Sequence, residues 1–195
     1  MFETAELGRK VTKRDFKMQA PVLRTELLKV QQELRREKKF QVMIVLGGID
    51  GAGKSEMANT LSGWMDPRGI ATHAFGSPTD DEREHPEYWR YWKTLPPKGD
   101  IAIYIGAWYS RPLLDNAYER TKLATYDREL SRIVAFEREL VNDGVLILKF
   151  WMHLGKKAQK KRLDALEKDS LTRWRVTDRE KENWTMYDRF EVASD

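Results

Sequence analysis

The sequence predicts an α/β domain in which a parallel sheet is covered by helices on both faces. Three observations carry that expectation. Apolar, β-branched runs alternate along the chain with segments of helical periodicity. One junction between such a run and a helix holds "GIDGAGKS", residues 48–55. And 195 residues suffice for one sizeable core, with no internal repeat or low-complexity linker to divide it.

Residues 1–20 read as polar and irregular. From Pro21, well placed in a first helical turn, Leu23, Leu27, Val30 and Leu34 recur at helical spacing and predict an amphipathic helix. "FQVMIVL" follows, too apolar and β-branched for a surface element, and reads as the first strand. A helix is expected from Lys54 to about Trp64, broken by "DPRG", and "ATHAFGSP" reads as a second short strand. In the charged, aromatic segment that follows, Trp89 and Trp92 are spaced to share a helix face before Pro96 and Pro97 stop it. At that spacing, core packing of Tyr88, Trp89, Tyr91 and Trp92 is favoured over stacking on a nucleobase.

"DIAIYIG" is the third strand, and residues 117–142 form a long helical pattern that Gly144 can end in the left-handed conformation. "VLILKFWMHL" is the fourth strand, and residues 156–195 read as helices separated near Ser170 and Val176. The pattern Trp184, Tyr187, Phe190 runs to Asp195 with no stop signal and no fifth strand, which suggests a piece of a longer protein.

Composition narrows the function classes. Hydrophobic residues are 41% and charged residues 34%, ordinary for a soluble, highly charged globular protein. No apolar run approaches the roughly 20 residues needed to span a bilayer, and the first ten residues lack the apolar core of a secretory signal. Without cysteine, disulfides and thiolate chemistry are excluded, and three scattered histidines argue against zinc. These features fit a cytoplasmic enzyme with no membrane partner. His73, His85 and His153 read as structural. Net charge is +4, but "KFWMHLGKKAQKKR" concentrates Lys149, Lys156, Lys157, Lys160, Lys161 and Arg162 with no acid. Such a cluster suits a polyanion. A solvated helix face explains it equally well from composition alone.

"GIDGAGKS" matches G-x-x-x-x-G-K-[ST]. A loop that wraps a phosphate turns its backbone N–H groups inward, which side chains at several positions would obstruct. Gly48, Gly51, Ala52 and Gly53 supply that loop, and the following helix adds its positive N-terminal end. Lys54 is placed to reach the outer phosphates and Ser55 to give its hydroxyl to Mg2+. Trp108 and Tyr109, at the C-terminal end of the third strand, are expected to line the same site, because open α/β sheets bind ligands there.

"GGIDGAGKS", "MDPRG", "SPTDDEREHPEYWRYWKTLPPKGDIAIY", "AWYSRP" and "FWMHLGKKAQKKRLDALEKDSLTRW" occur in the order seen in the second family of polyphosphate kinases. The chain resembles that family over nearly its whole length. "MFETAELGRKVTKRDF" and "LRTELLKVQQEL" are similar to the subgroup of polyphosphate:AMP phosphotransferases, whose chains carry two fused copies of the kinase domain. The resemblance implies a three-layer αβα P-loop kinase with a helical lid. It divides the chain into an N-terminal helical extension over 1–40, a core over 41–155 and a lid over 156–183. It implies inorganic polyphosphate and an adenine nucleotide (AMP, ADP or ATP) as partners, Mg2+ as cofactor, and packing against a second kinase-domain copy or another protomer. By position, Asp50 corresponds to the acid that manages magnesium and the transferred phosphate, alongside Lys54 and Ser55. Arg68 and Arg111 match arginines that hold nucleotide or phosphate, with Arg111 taking part in catalysis. Lys161, Arg162 and Arg175 fall in the lid, facing the phosphate chain.

One departure stands out. Where the family reads roughly D-R-S-W-Y-N-R, this chain reads Gly106, Ala107, Trp108, Tyr109, Ser110, Arg111, so Gly106 is taken to stand in place of the strand-end aspartate. Losing a carboxylate beside a bound metal should cost several kcal/mol of transition-state stabilisation, roughly. Asp50 can offset part of this, while Asp100 lies at the wrong end of the strand; Asp80 and Asp81 remain open. Two readings follow: a polyphosphate-dependent nucleotide phosphotransferase domain, or a binding domain derived from one that supports an active second copy. On the second, Gly106→Asp is expected to raise activity. A nucleic-acid-binding protein lacks any recognised motif, and a small-metabolite kinase does not account for the lid cations.

Overall fold

The structure, a computed structural model, describes residues 6–8 and 10–194. Its elements run α1 (Lys13–Glu37), β1 (Val42–Gly48), α2 (Lys54–Trp64), β2 (Ile70–Ala74), α3 (Asp80–Arg83), α4 (Trp89–Trp92) and β3 (Ile101–Ile105). They continue with α5 (Ser110–Ala117), α6 (Leu123–Asn142), β4 (Leu146–Met152), α7 (Lys156–Lys168), α8 (Asp178–Thr185) and α9 (Tyr187–Ser194).

The four strands are parallel in the order β2-β3-β1-β4. Central β1 registers Val42 with Ile101 and Leu146, and Leu46 with Ile105 and Phe150. Alternate β1 residues bury on opposite faces, as a sheet covered on both sides requires. Val42, Ile44 and Leu46 pack with Ile101, Ile103, Leu34 of α1 and Ala58 of α2. Met43 and Val45 pack with Tyr104, Tyr91 of α4 and Ile133, Phe136 and Leu140 of α6. Each fully buried aliphatic side chain contributes about 1.5–3 kcal/mol, so these two faces hold the α/β/α layers together.

The expected aromatic packing is present in part: Tyr88 stacks on Phe136 at 4.5 Å, and Tyr91 and Trp108 meet edge to face at 5.2 Å, but Trp92 stays 40% exposed. β4 is different. Leu146, Leu148 and Phe150 continue the row of Val42, Ile44 and Leu46, yet remain exposed along the sheet edge.

Three boundaries differ from the sequence expectation. α1 begins at Lys13, eight residues before Pro21, because Thr12 caps it: the Thr12 Oγ1 accepts from the Asp15 N–H at 3.1 Å. Pro21 therefore lies inside the helix, and residues 13–20 are helical rather than irregular. The expected 117–142 helix starts at Leu123, because Glu119 turns left-handed (φ 55°) and ends α5 instead. The C-terminal pattern breaks at Met186 into α8 and α9. Residues 1–5 of the stretch expected to be irregular, residue 9, and Asp195 lie outside the described residues. Gly144 does terminate α6 with φ 89°. No helix among the described residues is long and apolar enough to cross a membrane.

Candidate functional site

At the C-terminal end of β1 the chain turns through residues 48–53 and enters α2 on Lys54. Gly48 has φ 119°, and a Cβ there would lie 2.0 Å from the Met152 carbonyl oxygen of β4, so only glycine fits. Gly51 and Gly53 are also left-handed, and the Ala52 N–H closes a tight turn on the Ile49 carbonyl at 3.3 Å. Gly53 caps α2 without a side chain, leaving the helix's free N–H groups and positive end open to an anion. The Lys54 ammonium donates to the carbonyls of Gly48 (2.6 Å) and Ile49 (3.0 Å) and lies 3.4 Å from Asp50 Oδ1. A charged phosphate oxygen is a stronger partner than a carbonyl dipole, so an entering phosphate can draw this ammonium outward. Ser55 is exposed at the second position of α2.

The helices after β4 close over this loop. Gln159 of α7, almost fully buried, donates from Nε2 to the Asp50 carbonyl at 2.8 Å. Asn183 of α8, also buried, donates from Nδ2 to Asp50 Oδ2 at 2.6 Å and accepts on Oδ1 from the Tyr118 hydroxyl at 2.7 Å. Arg162 and Arg175 both reach Glu56 Oε1, at 2.9 and 3.1 Å. All three side chains of that cluster are more than a third exposed, so such pairs are worth about 1 kcal/mol or less. Glu56 is thus a weak counter-charge that a polyanion can displace.

Two adjoining cavities lie under these helices. The first, about 350 Å³, is walled by Gly48, Asp50, Lys54, Ile105, Tyr109 and Asn183 among others. The second, about 490 Å³, takes Arg90, Arg111, Arg120 and Arg179 into its wall. Phe75, Gly106, Ser110, Arg179 and Asn183 border both. A lysine-bearing loop therefore opens toward a chamber whose wall carries four guanidinium groups and the carboxylates of Glu87, Asp115 and Glu182.

The strand end corrects the reading of Gly106. Gly106 is left-handed (φ 66°), and a Cβ there would lie 2.8 Å from the Phe75 carbonyl oxygen, so the backbone at this point excludes any side chain, a carboxylate included. Laid with its W-Y on Trp108-Tyr109 and its last R on Arg111, D-R-S-W-Y-N-R puts the aspartate on Ile105 and its arginine on Gly106. Ile105 is the last residue of β3, packs on the α2 side and borders the first cavity. On that register the carboxylate of the pattern falls at Ile105.

Among the described residues, Asp50 and Glu180 are the acids in the wall of the first cavity. Asp80 pairs with Arg83, neither Asp80 nor Asp81 borders the cavities, and Asp100 pairs with Arg35 at the far end of β3. Glu180 borders the first cavity but accepts from the Thr177 N–H in the cap of α8. Asp50 and Ser55 are left as oxygen donors beside the loop. Magnesium commonly binds through one or two carboxylates, with water and phosphate oxygens completing its shell. The set fits that ion at the lower limit.

Arg68 is not brought to the loop. It lies in the Pro67–Gly69 turn before β2, at the opposite end of the sheet, where it pairs with Asp66 at 2.6 Å. Its guanidinium hydrogen bonds hold Asp66 at about 2. A five-residue strand separates that end from the loop's, roughly 17 Å of chain, too far for a shared ligand contact. Trp108 is 3% exposed, packed against Tyr91 and Phe136, with Nε1 donating to Glu137 at 3.0 Å. It borders the second cavity, with its ring packed on Tyr91 and Phe136.

Tyr109 does border the first cavity, its hydroxyl donating to Glu137 at 2.7 Å, and burial pushes its pKa up. Lys149 is drawn away from the lid cluster onto the same Glu137 at 2.8 Å; burial lowers its pKa, but the bonds to Glu137 and Tyr109 outweigh that and raise it. Lys161 lies on the outer face of α7 with Lys157, Lys160 and Lys168. Arg111 borders the second cavity 3.5 Å from Asp115.

The histidines occupy packing positions. His73 contacts Tyr104, and burial lowers its pKa; His85 stacks on Trp89 at 3.9 Å; His153 bonds Glu6 at 2.7 Å. Arg90, Arg120, Arg179, Gln159, Asn183 and Glu56 were not legible as site residues. Arg90 lies inside "YWRYW", which reads as packing; Glu56 follows Ser55 directly but carries no motif signal; the others reach the site only through tertiary folding.

The family profile described as Polyphosphate kinase 2 (PPK2) matches residues 10–195. The chain is 42% identical over 190 residues to a polyphosphate:AMP phosphotransferase of Pseudomonas aeruginosa, covering 97% of this chain and 38% of that protein. Its fold superposes on the crystal structure of a candidate polyphosphate kinase 2 from Pseudomonas aeruginosa PA01 with a TM-score of 0.86 at 39% identity, over 100% of this chain and 39% of the other. It superposes on polyphosphate kinase 2 from Arthrobacter aurescens TC1 with a TM-score of 0.89 at 28% identity, over 96% of this chain and 68% of that one. The chain thus spans about two-fifths of the length of the first curated relatives it matches.

Proposed function

The chain belongs to the polyphosphate kinase 2 family, and from that premise we propose that it is a domain of a polyphosphate:AMP phosphotransferase, moving phosphoryl groups between inorganic polyphosphate and AMP or ADP in the cytoplasm. The observation that carries this is the pairing of an anion-holding loop at Lys54 with an adjoining chamber walled by Arg90, Arg111, Arg120 and Arg179. Two separate stations for phosphate are what transfer between a phosphate chain and a nucleotide needs. On this reading residues 156–183 act as the lid. Arg162 and Arg175 exchange Glu56 for the phosphate chain, and Lys161, outside the two cavities, extends the positive surface along which that chain runs.

Asp50 and Ser55 would hold magnesium, which supplies charge neutralisation at the transferred phosphate. Lys54 and Arg111 hold the transferring group in position, and Tyr109, tied to Glu137, fixes the loop after β3.

Ile105 favours a second reading. A site that keeps its phosphate loop but lacks the strand-end carboxylate binds its ligands and turns over poorly, so this copy serves mainly to bind and to support an active second copy. Assay of the chain with polyphosphate, AMP and magnesium separates the two. Rapid ADP formation would establish the first reading, and saturable binding with turnover only slightly above background the second.

The exposed row Leu146, Leu148 and Phe150 is where a second kinase-like copy would pack. Leu148→Lys with Phe150→Lys should convert a chain that self-associates in sedimentation into a monomer. A natural chain that is monomeric at high micromolar concentration would remove this part of the proposal.

A further inference from the structure

The carboxylate of Asp50 is the only one bordering the first cavity, among the described residues, that is not spent on a helix cap, and it is not held by its own loop alone. Its shortest bond, 2.6 Å, comes from Asn183 on α8, while the approach of Lys54 is looser at 3.4 Å. Asn183 cannot turn over freely. The Tyr118 phenol stays protonated at neutral pH, since burial raises its pKa, and it donates to Asn183 Oδ1 at 2.7 Å. That directs the Nδ2 donor at Asp50; the reversed amide would set its oxygen against a carboxylate, which only accepts. Tyr118 is itself placed at the end of α5, with Phe190 of α9 packed edge to face on its ring at 6.2 Å. A hydrogen bond to a charged group is the strong kind, and this one is shielded within a buried amide.

We propose that Asn183 is a positioning residue of the phosphate site: oriented by Tyr118, it holds the Asp50 carboxylate off the Lys54 ammonium, so that lysine and carboxylate remain available to phosphate and metal. Without it, Asp50 Oδ1 closes from 3.4 Å onto Lys54 and the two charges satisfy each other. Partners that orient a metal-site carboxylate commonly change affinity by about 10- to 100-fold when removed. The inference rests on the reading of residues 48–55 as a phosphate loop.

The test is a calorimetric titration with ATP and magnesium of four chains: natural, Asn183→Leu, Asp50→Ala and the double variant. Asn183→Leu should weaken binding about tenfold. In the Asp50→Ala background the same substitution should change it less than about twofold, because the residue through which it acts is gone. An equal loss in both backgrounds, or no loss in either, would overturn the proposal. Tyr118→Phe keeps the ring and removes only the hydroxyl that orients the amide. It should weaken binding about threefold, and it carries the test if Asn183→Leu lowers the thermal midpoint sharply; no effect from it would then count against the proposal. A natural chain that binds no ATP would sink the phosphate-loop reading and this inference together, a result distinct from binding that Asn183 does not influence.

Discussion

Replacing Lys54 with methionine is expected to weaken the binding of ATP and polyphosphate about a hundredfold while moving the thermal midpoint by only a few degrees. The ammonium is held by two backbone carbonyls and, more loosely, by Asp50. Its side chain retains 17% exposure and that of Asp50 33%, so water can take over these oxygens when the ammonium is removed. The folded state therefore loses little. The liganded state loses a charge-assisted bond to phosphate, worth about 1.5–3 kcal/mol, together with the favourable field of a cation in a partly dry cavity. Methionine keeps the length and apolar packing of the lysine stem. An affinity within about threefold of the natural chain would mean that Lys54 does not meet the phosphate.

The second large effect separates two neighbouring positions on β3. Ile105→Asp is expected to raise phosphoryl-transfer turnover by about 100-fold or more, the scale on which single electrostatic groups act in such sites. Ile105 ends the strand, faces the side of the sheet that α2 covers, and borders the cavity with Lys54. A carboxylate there enters the wall of the cavity that also holds Asp50 and Lys54, and would give magnesium a second acidic ligand. The substitution removes packed aliphatic surface and should cost about 1–2 kcal/mol of stability, measurable by denaturant titration.

Gly106→Asp, by contrast, should destabilise the chain without restoring turnover. Its backbone is left-handed and its Cβ position lies 2.8 Å from the Phe75 carbonyl oxygen, so β2 and β3 would have to separate at their ends. Equal turnover from both variants would show that the strand end does not limit catalysis.

Much of the architecture was legible because burial writes itself into side-chain type. The strands around Val42, Ile101 and Leu146 announce themselves as apolar runs, and "GIDGAGKS" announces a loop whose backbone must face a ligand. The misplaced boundaries have local causes with weak signatures. Thr12 and Asp15 form a cap readable as T-x-x-D, but Pro21 is the louder signal and points to the wrong start. Glu119 ends α5 in a conformation that glycine usually marks.

The candidate site was half legible. Residues local to the loop carry their own pattern, whereas Asn183, Gln159 and Arg179 arrive from more than a hundred positions away with no spacing to betray them. Arg68 shows the converse failure. Its position in "MDPRG" suggested phosphate, but the sheet carries it to the end where Asp66 and Gln31 tie the turn to α1. Gly106 was misread by one residue, and the constraint that exposed the error, a left-handed turn crowded by Phe75, exists only in three dimensions.

The most direct measurement is a calorimetric titration of the natural chain with tripolyphosphate in EDTA, which reads the loop's grip on an anion without help from a metal. Saturable one-to-one binding, weakened about a hundredfold by Lys54→Met and weakened also at high salt, is the predicted result. A natural chain that gives no binding heat and shows no change in thermal midpoint across millimolar tripolyphosphate would contradict it, and the assignment of residues 48–55 to phosphate would have to be withdrawn.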